Sequence, residues 1–335
     1  VLKNSLYVFL LEFHDCGKFC PSCGISPQIT CRRDFSQNDA CVGDGMVVPD
    51  FFSSFALIPI IESMYQEYSP HPVLSPYIDK YWEVKGSPEM GEKMIILPDG
   101  CTDFIFTLGE AVSKVKEETL VMQPYRSYFV GPMTKYSELV TYAEFVHQFG
   151  VRFLPCGLSG FTKLPLHEFA NYRISTNEMQ AVFDSTFIER VCEQNDVRGR
   201  IQVVEEYLLA YLAHNYQPVD SQVAAAVNII NQSGGKRSVR SLMDEVCLCQ
   251  RHFERKFKHN TGFTPKEYSR IVKFKNAVEL LRNTASVNLL TTAIDAGYYD
   301  LAHFSKEIKT LSGNTPTSFL SLTVPEDITL TYIEP

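Results

Sequence analysis

Arg251, Glu254, Arg255 and Lys258 are spaced so that on a helix they form one outward stripe, three cations with a single acceptor. The chemistry open to such a stripe is hydrogen bonding to flat polar edges. The two guanidiniums suit guanine O6 and N7, Glu254 can accept from cytosine N4, and Gln250, near the helix start, suits adenine. Phe253 and Phe257, four residues apart, fall on the opposite face and demand a core. A second, sparser stripe consists of Ala302, Ser305, Lys306 and Lys309, with His303 on its flank and Phe304, Ile308 and Leu311 behind it.

Stepping outward from these side chains, the two stripes belong to one repeated unit. His252-Phe253, Lys258, Gly262, Thr264, Pro265 and Tyr268 recur 51 residues later as His303-Phe304, Lys309, Gly313, Thr315, Pro316 and Phe319. Upstream the offset falls to 50, with Met243 and Cys247 matching Ala293 and Gly297. The slip falls where a helix-turn-helix holds its turn. In the first copy a leading helix is expected over Val239 to Val246, a turn at Cys247-Leu248 and a reading helix from Cys249 to about His259. In the second, Leu289 to Ala296 leads, Gly297 turns, and Asp300 caps a reading helix ending near Leu311. Pro265 opens a long helix, carried by Tyr268 to Leu281, that spaces the copies rigidly enough for the two reading helices to enter successive major-groove segments. Any amphipathic helix has a charged outer face, so neither stripe decides anything alone. Repeat, turn chemistry and charge together point to nucleic acid.

The charge is segregated. The 335 residues carry a net −8, but residues 231–320 hold fourteen Lys/Arg against eight Asp/Glu, a net of +6, leaving −3 on 321–335 and −11 on 1–230. One basic module on an acidic body is what a phosphate backbone selects in its contact domain. No apolar run reaches the eighteen or so residues that span a bilayer, and Ser5 to Phe13 is too short and carries Glu12, so neither membrane nor export is expected and the location is read as cytoplasmic.

Residues 72–164 read as short strands cut by Pro and Gly: Tyr81 to Val84, Met94 to Leu97, Asp103 to Leu108, Tyr128 to Val130, Leu139 to Phe149 and Val151 to Phe153. Beyond Pro165 the period turns helical, and Ile201, Val204, Leu208, Leu209 and Leu212 form an apolar stripe that needs a partner, either the domain's own core or a second copy. Asp220 or Ser221 caps the next helix, which stops at Gly234-Gly235. The expected architecture is α+β. A mostly-β, small barrel- or sandwich-like regulatory domain with trailing helices covers 64–217, an all-α domain of two helix-turn-helix units joined by a long helix covers 218–322, and 323–335 is a tail. Residues 1–63, with Cys16, Cys20, Cys23, Cys31 and Cys41, read differently from the rest. One reading treats them as an atypical extension and starts the native protein at Met64; recovery of native peptides from 1–63 would overturn it.

Ser238 to Phe319, with Gly262-x-Thr-Pro265, Gly313-x-Thr-Pro316 and Gly297-Tyr-Tyr-Asp300-x-Ala-His-Phe304, resembles the two-repeat DNA-binding domain of AraC/XylS-type transcriptional regulators. Two positions depart from the family pattern: Cys249 replaces the usual Ser N-cap, and Cys247 a frequent turn Gly. Upstream, Pro76-Tyr77-x3-Tyr81-Trp82, Leu97-Pro98-Asp99-Gly100-x2-Asp103 and Gly150-Val-Arg152-Phe153-x-Pro155 are similar to a domain found ahead of such modules. The resemblance implies a sequence-specific regulator that reads operator DNA, with a domain for effector sensing or dimerisation; RNA polymerase is a further partner if it activates. Asp99, Asp103, His147 and Arg152 are the polar groups expected around an effector pocket, against a reading of Pro98-Asp99-Gly100 as a plain turn.

No enzyme, cofactor or metal is expected. The rival from an enzyme class is an Ada-like DNA-repair regulator with an N-terminal cysteine site; Cys16-x3-Cys20 is its only support, and a later Cys-x2-Cys is missing. Gly157-Leu-Ser159-Gly160 misses the hydrolase nucleophile elbow by one residue. An architectural binder, the remaining alternative, predicts equal affinity for all sequences.

Overall fold

The computed structural model describes residues 65–88, 93–109, 113–115, 120–141, 143–178, 183–215, 218–283, 288–320 and 330–333. The expectations for 1–63, among them the Cys16, Cys20 and Cys23 cluster and a start at Met64, lie outside the described residues.

The strands are β1 (Tyr65–Tyr68), β2 (Ile78–Gly86), β3 (Lys93–Ile96), β4 (Thr102–Thr107), β5 (Ser113–Val115), β6 (Val121–Met122), β7 (Ser127–Val130), β8 (Ser137–Thr141), β9 (Val146–Phe153), β10 (Arg173–Ser175) and β11 (Leu330–Ile333). They form two antiparallel sheets, one ordered β1-β2-β9-β4-β7-β10 and the other β11-β3-β8-β5-β6. β4 is central to the first sheet and buried along its whole length. Alternation divides its side chains: Phe104 and Phe106 face the core that includes Phe183, Phe187, Val204 and Leu208, while Ile105 joins Trp82, Tyr128 and Leu139 in the core shared by both sheets.

The segment expected as strand from Leu139 to Phe149 is broken into β8 and β9, and β9 runs straight through Gly150 to Phe153. A glycine that reads as punctuation is here a point of close approach. A Cβ on Gly150 would lie 2.0 Å from Cε2 of Trp82 on the adjacent β2, to which Gly150 is paired, so only hydrogen fits beneath the indole.

Helices α1 (Ser185–Cys192) and α2 (Val197–His214) cover the free face of the first sheet. The apolar stripe of α2 is intramolecular core: Val204, Leu208 and Leu212 are buried, and Ile201 and Leu209 pack beside them. Then follow α3 (Ser221–Gln232), α4 (Val239–Val246), α5 (Gln250–Thr261), α6 (Pro265–Asn283), α7 (Leu289–Asp295), α8 (Leu301–Ser312) and α9 (Pro316–Leu320). Asp220 caps α3, its carboxylate accepting from the backbone N–H groups of Gln222 and Val223. α6 has 19 residues and is therefore about 28 Å long.

The β domain and the helical domain share their cores. Ile95 and Leu97 lie in one cluster with Phe274, Phe304, Ile308 and Leu311, and Cys156 lies in another with Val223, Phe253 and Phe257. Burial pushes the Cys156 thiol up to about 11, as expected for a packing group. Within the 323–335 tail, β11 pairs with β3, returning the chain to the second sheet.

Candidate nucleic-acid interface

Each reading helix is built from its caps inward. α4 starts at Ser238, whose hydroxyl accepts from Ser241 N at 3.1 Å, and ends at Cys247 in the left-handed region (φ 53°). Cys249 then opens α5 without any side-chain cap bond. The second unit is capped throughout. Asn288 accepts from Leu290 and Thr291 N–H groups at the start of α7, and Asp300 accepts from His303 N at 2.7 Å at the start of α8. Both reading helices end on a left-handed glycine at equivalent repeat positions, Gly262 (φ 82°) and Gly313 (φ 78°).

The stripes face solvent. On α5, Gln250, Arg251, Arg255 and Lys258 are exposed and Glu254 is half-buried, while Phe253 and Phe257 are fully buried. On α8, Ala302, His303, Lys306 and Lys309 are exposed and Ser305 is half-buried, over a core of Phe304, Ile308 and Leu311. Glu254 is engaged by its own helix, accepting from Gln250 Nε2 at 2.9 Å, so the two polar groups are coupled to each other on the exposed face. Lys256, outside the stripe, is tied back to Asp220 at 2.7 Å and to Gln222 at 2.6 Å on α3.

α6 holds the second unit in place. Arg270 pairs bidentately with Glu307 of α8, its Nη2 donating to Oε1 at 3.2 Å. Lys273 donates to the Gly297 carbonyl at 3.1 Å, in the turn between α7 and α8. Tyr299, in the same turn, is the most exposed large hydrophobic side chain among the described residues, at 90%, and lies outside the two stripes. It precedes the cap residue, outside the helical period that marked the stripe.

The four groups expected around an effector pocket fall into two clusters. Asp99, Asp103 and Arg152 are buried together, with Arg152 Nε 3.1 Å from Asp103, Arg152 Nη1 3.5 Å from Asp99, and the Trp82 indole donating to Asp103 at 2.8 Å. Burial pushes the Asp103 carboxyl up, against the pull of Arg152. This cluster touches the helical domain: Lys275 Nζ of α6 lies 3.5 Å from the Asp99 carbonyl, and the Tyr268 ring covers Gly100. His147 is elsewhere on β9, its Nε2 2.8 Å from Glu83, which also receives Arg200 of α2 at 3.0 Å. A cavity of about 360 Å³ opens at a third place, lined by Val130, Met133, Tyr136, Asn171, Tyr172 and Arg173. Among the described residues no group of three or more His, Cys, Asp or Glu side chains is placed to hold a metal, and no helix is long and apolar enough to cross a membrane.

Two helix-turn-helix units with outward basic stripes, braced on one linker helix, define a reader of double-stranded DNA. The comparisons with known proteins agree in sequence: residues 242–321 match a family described as a helix-turn-helix domain, and residues 66–175 a domain of unknown function (DUF6597). No curated protein matches the chain. Among solved structures, ToxT from Vibrio cholerae aligns over 77% of this chain and 98% of its own at 10% identity, with a TM-score of 0.43. A xylose-binding transcription activator, xylR, aligns over 36% and 39% at 19% identity with a TM-score of 0.28, and the AraC-like transcriptional activator CuxR over 68% and 89% at 12% and 0.22. Residues 242–321 thus form a helix-turn-helix domain, and the chain is a DNA-binding protein of the helix-turn-helix class.

Proposed function

We propose that the chain reads operator DNA with α5 and α8 in successive major-groove segments, and that the β domain senses an effector or a second copy and adjusts that reading. The observation that carries this is the pair of exposed stripes at equivalent positions of two repeated helix-turn-helix units, α5 before and α8 after the 19-residue linker helix α6. α5 holds the richer set of base-reading groups on a poorly capped helix, so it supplies most of the discrimination, and α8 mostly anchors. A homodimer would have to use a surface other than the α2 stripe. The cavity beside Tyr136 is within the size range of small-molecule sites and supports the sensing role, because Tyr136 also rests on the cap of α8. An activator of this kind would also meet RNA polymerase, in the cytoplasm where the DNA is.

Selection from random double-stranded DNA with the full chain is expected to enrich one bipartite sequence, bound at least ~10³ more tightly than unrelated DNA. Equal affinity for all sequences would instead support the architectural binder. On the selected site, Arg255→Ala is expected to relax one base position and cost roughly 1–3 kcal/mol. A uniform loss across all sequences would move Arg255 from base reading to phosphate contact.

A further inference from the structure

Gly262 and Gly313 are the same position in the two copies of the repeat, and both rest against one short loop of the β domain. A Cβ on Gly262 would lie 2.2 Å from Cγ of Pro132, and one on Gly313 would lie 2.8 Å from Cζ of Tyr136. Pro132 and Tyr136 are four residues apart in the connection between β7 and β8. The C-terminal caps of both reading helices therefore meet the same six-residue segment, 131–136, and the exposed stripes lie outside that contact.

That segment is stapled to the segment Phe169–Tyr172. Gly131 N donates to the Tyr172 carbonyl at 3.0 Å, and Asn171 N donates to the Pro132 carbonyl at 2.9 Å. The Asn171 side chain accepts from Thr134 N at 2.8 Å and from the Thr134 hydroxyl at 3.0 Å. Gly131 itself packs so tightly that a Cβ would lie 2.0 Å from the Phe169 carbonyl oxygen, and Pro132 has a fixed φ. This gives a rigid body bonded at several points, touching equivalent atoms of two repeated units.

We propose that the β7–β8 loop is a spacing gauge, with Pro132 and Tyr136 as positioning residues that set the separation and relative orientation of the two reading helices. The proposal rests on the bipartite reading given above. Arg270, Lys273 and the cluster of Ile95 and Leu97 hold the second unit on α6 and on the second sheet, and the β7–β8 loop adds a contact segment that reaches the C-terminal caps of both reading helices. A tether of fixed span gives its highest effective concentration at one half-site spacing and loses it steeply on either side, whereas a loose tether has a lower, broader optimum. Preorganisation of this kind governs the two-site complex and leaves contact with a single half-site unchanged.

The test uses the full chain and its selected site, with zero to three base pairs inserted or removed between the halves, alongside DNA containing only the half read by α5. The unaltered chain is expected to prefer one spacing by roughly tenfold or more over neighbours displaced by two base pairs. Tyr136→Ala is expected to flatten that preference to within about twofold, with half-site affinity unchanged, and Tyr136→Phe, which keeps the ring against Gly313, to restore it. The proposal is overturned if Tyr136→Ala keeps the original spacing profile. It is also overturned if the variant loses half-site and full-site binding equally, or unfolds while Pro132→Ala keeps the original profile. If the unaltered chain selects no sequence at all, the bipartite reading itself has failed, which is a different outcome from selection followed by an unchanged profile.

Discussion

Cys249 shows how much of a functional helix depends on one side chain. It occupies the N-cap of α5 with extended backbone (φ −70°, ψ 152°), the conformation in which a hydroxyl would accept from the first free N–H groups, yet its side chain makes no cap bond. Asp300 makes that bond at the equivalent place in the second copy. Cys249→Ser is therefore expected to stabilise the protein by about 1 kcal/mol in denaturant unfolding, and no change would mean that water already satisfies those donors. Cys247, two residues earlier, is left-handed without being glycine. Both cap positions were legible in the sequence, because the one-residue slip in the repeat and the Asp300 motif locate the turns. The engagement of Glu254 by Gln250 was not, since spacing shows which side chains share a face and leaves open which of them bond.

Among the elements, helices were easier to read than strands, for a physical reason. The period and caps of α4 to α8 are local, so Phe253, Phe257, Phe304 and Ile308 identify their own helices. Strand limits depend on partners that are distant in sequence. Gly150 looks like a break until Trp82 is placed above it, and β1, β5 and β10 are too short or polar to declare themselves. The docking of α2 on β2 is another long-range fact, fixed partly by Arg200 on Glu83 at 3.0 Å. The hydrogen bond from His147, with Arg200 adding, holds the Glu83 carboxyl below its ordinary value. A lowered folded value means that its contribution is complete above the unfolded glutamate value of about 4.3 and is lost as the pH falls through the lower folded value. Stability measured by urea unfolding should fall along that acidic limb, and Glu83→Gln should flatten it; an unchanged limb would assign the acid sensitivity to other carboxylates.

At the scale of the whole molecule, the basic residues lie on the helical domain and the acidic excess on the β domain, yet the two are not independent modules. Ile95 and Leu97 complete the core of the second helix-turn-helix unit, and Cys156 that of the first. Domains that share buried clusters are expected to unfold in a single cooperative transition, so helical circular dichroism and tryptophan fluorescence should report coincident midpoints. Two separated midpoints would show that the shared clusters contribute little. Length and charge indicated two domains, but their mutual burial could not be read from either. The chain's only tryptophan is Trp82. Its indole donates to Asp103, which is tied through Arg152 to Asp99, whose carbonyl faces Lys275 on the linker helix. The molecule thus contains a native optical probe two side chains from its interdomain seam, and emission from an unlabelled sample can follow that seam while DNA or a small molecule is titrated in.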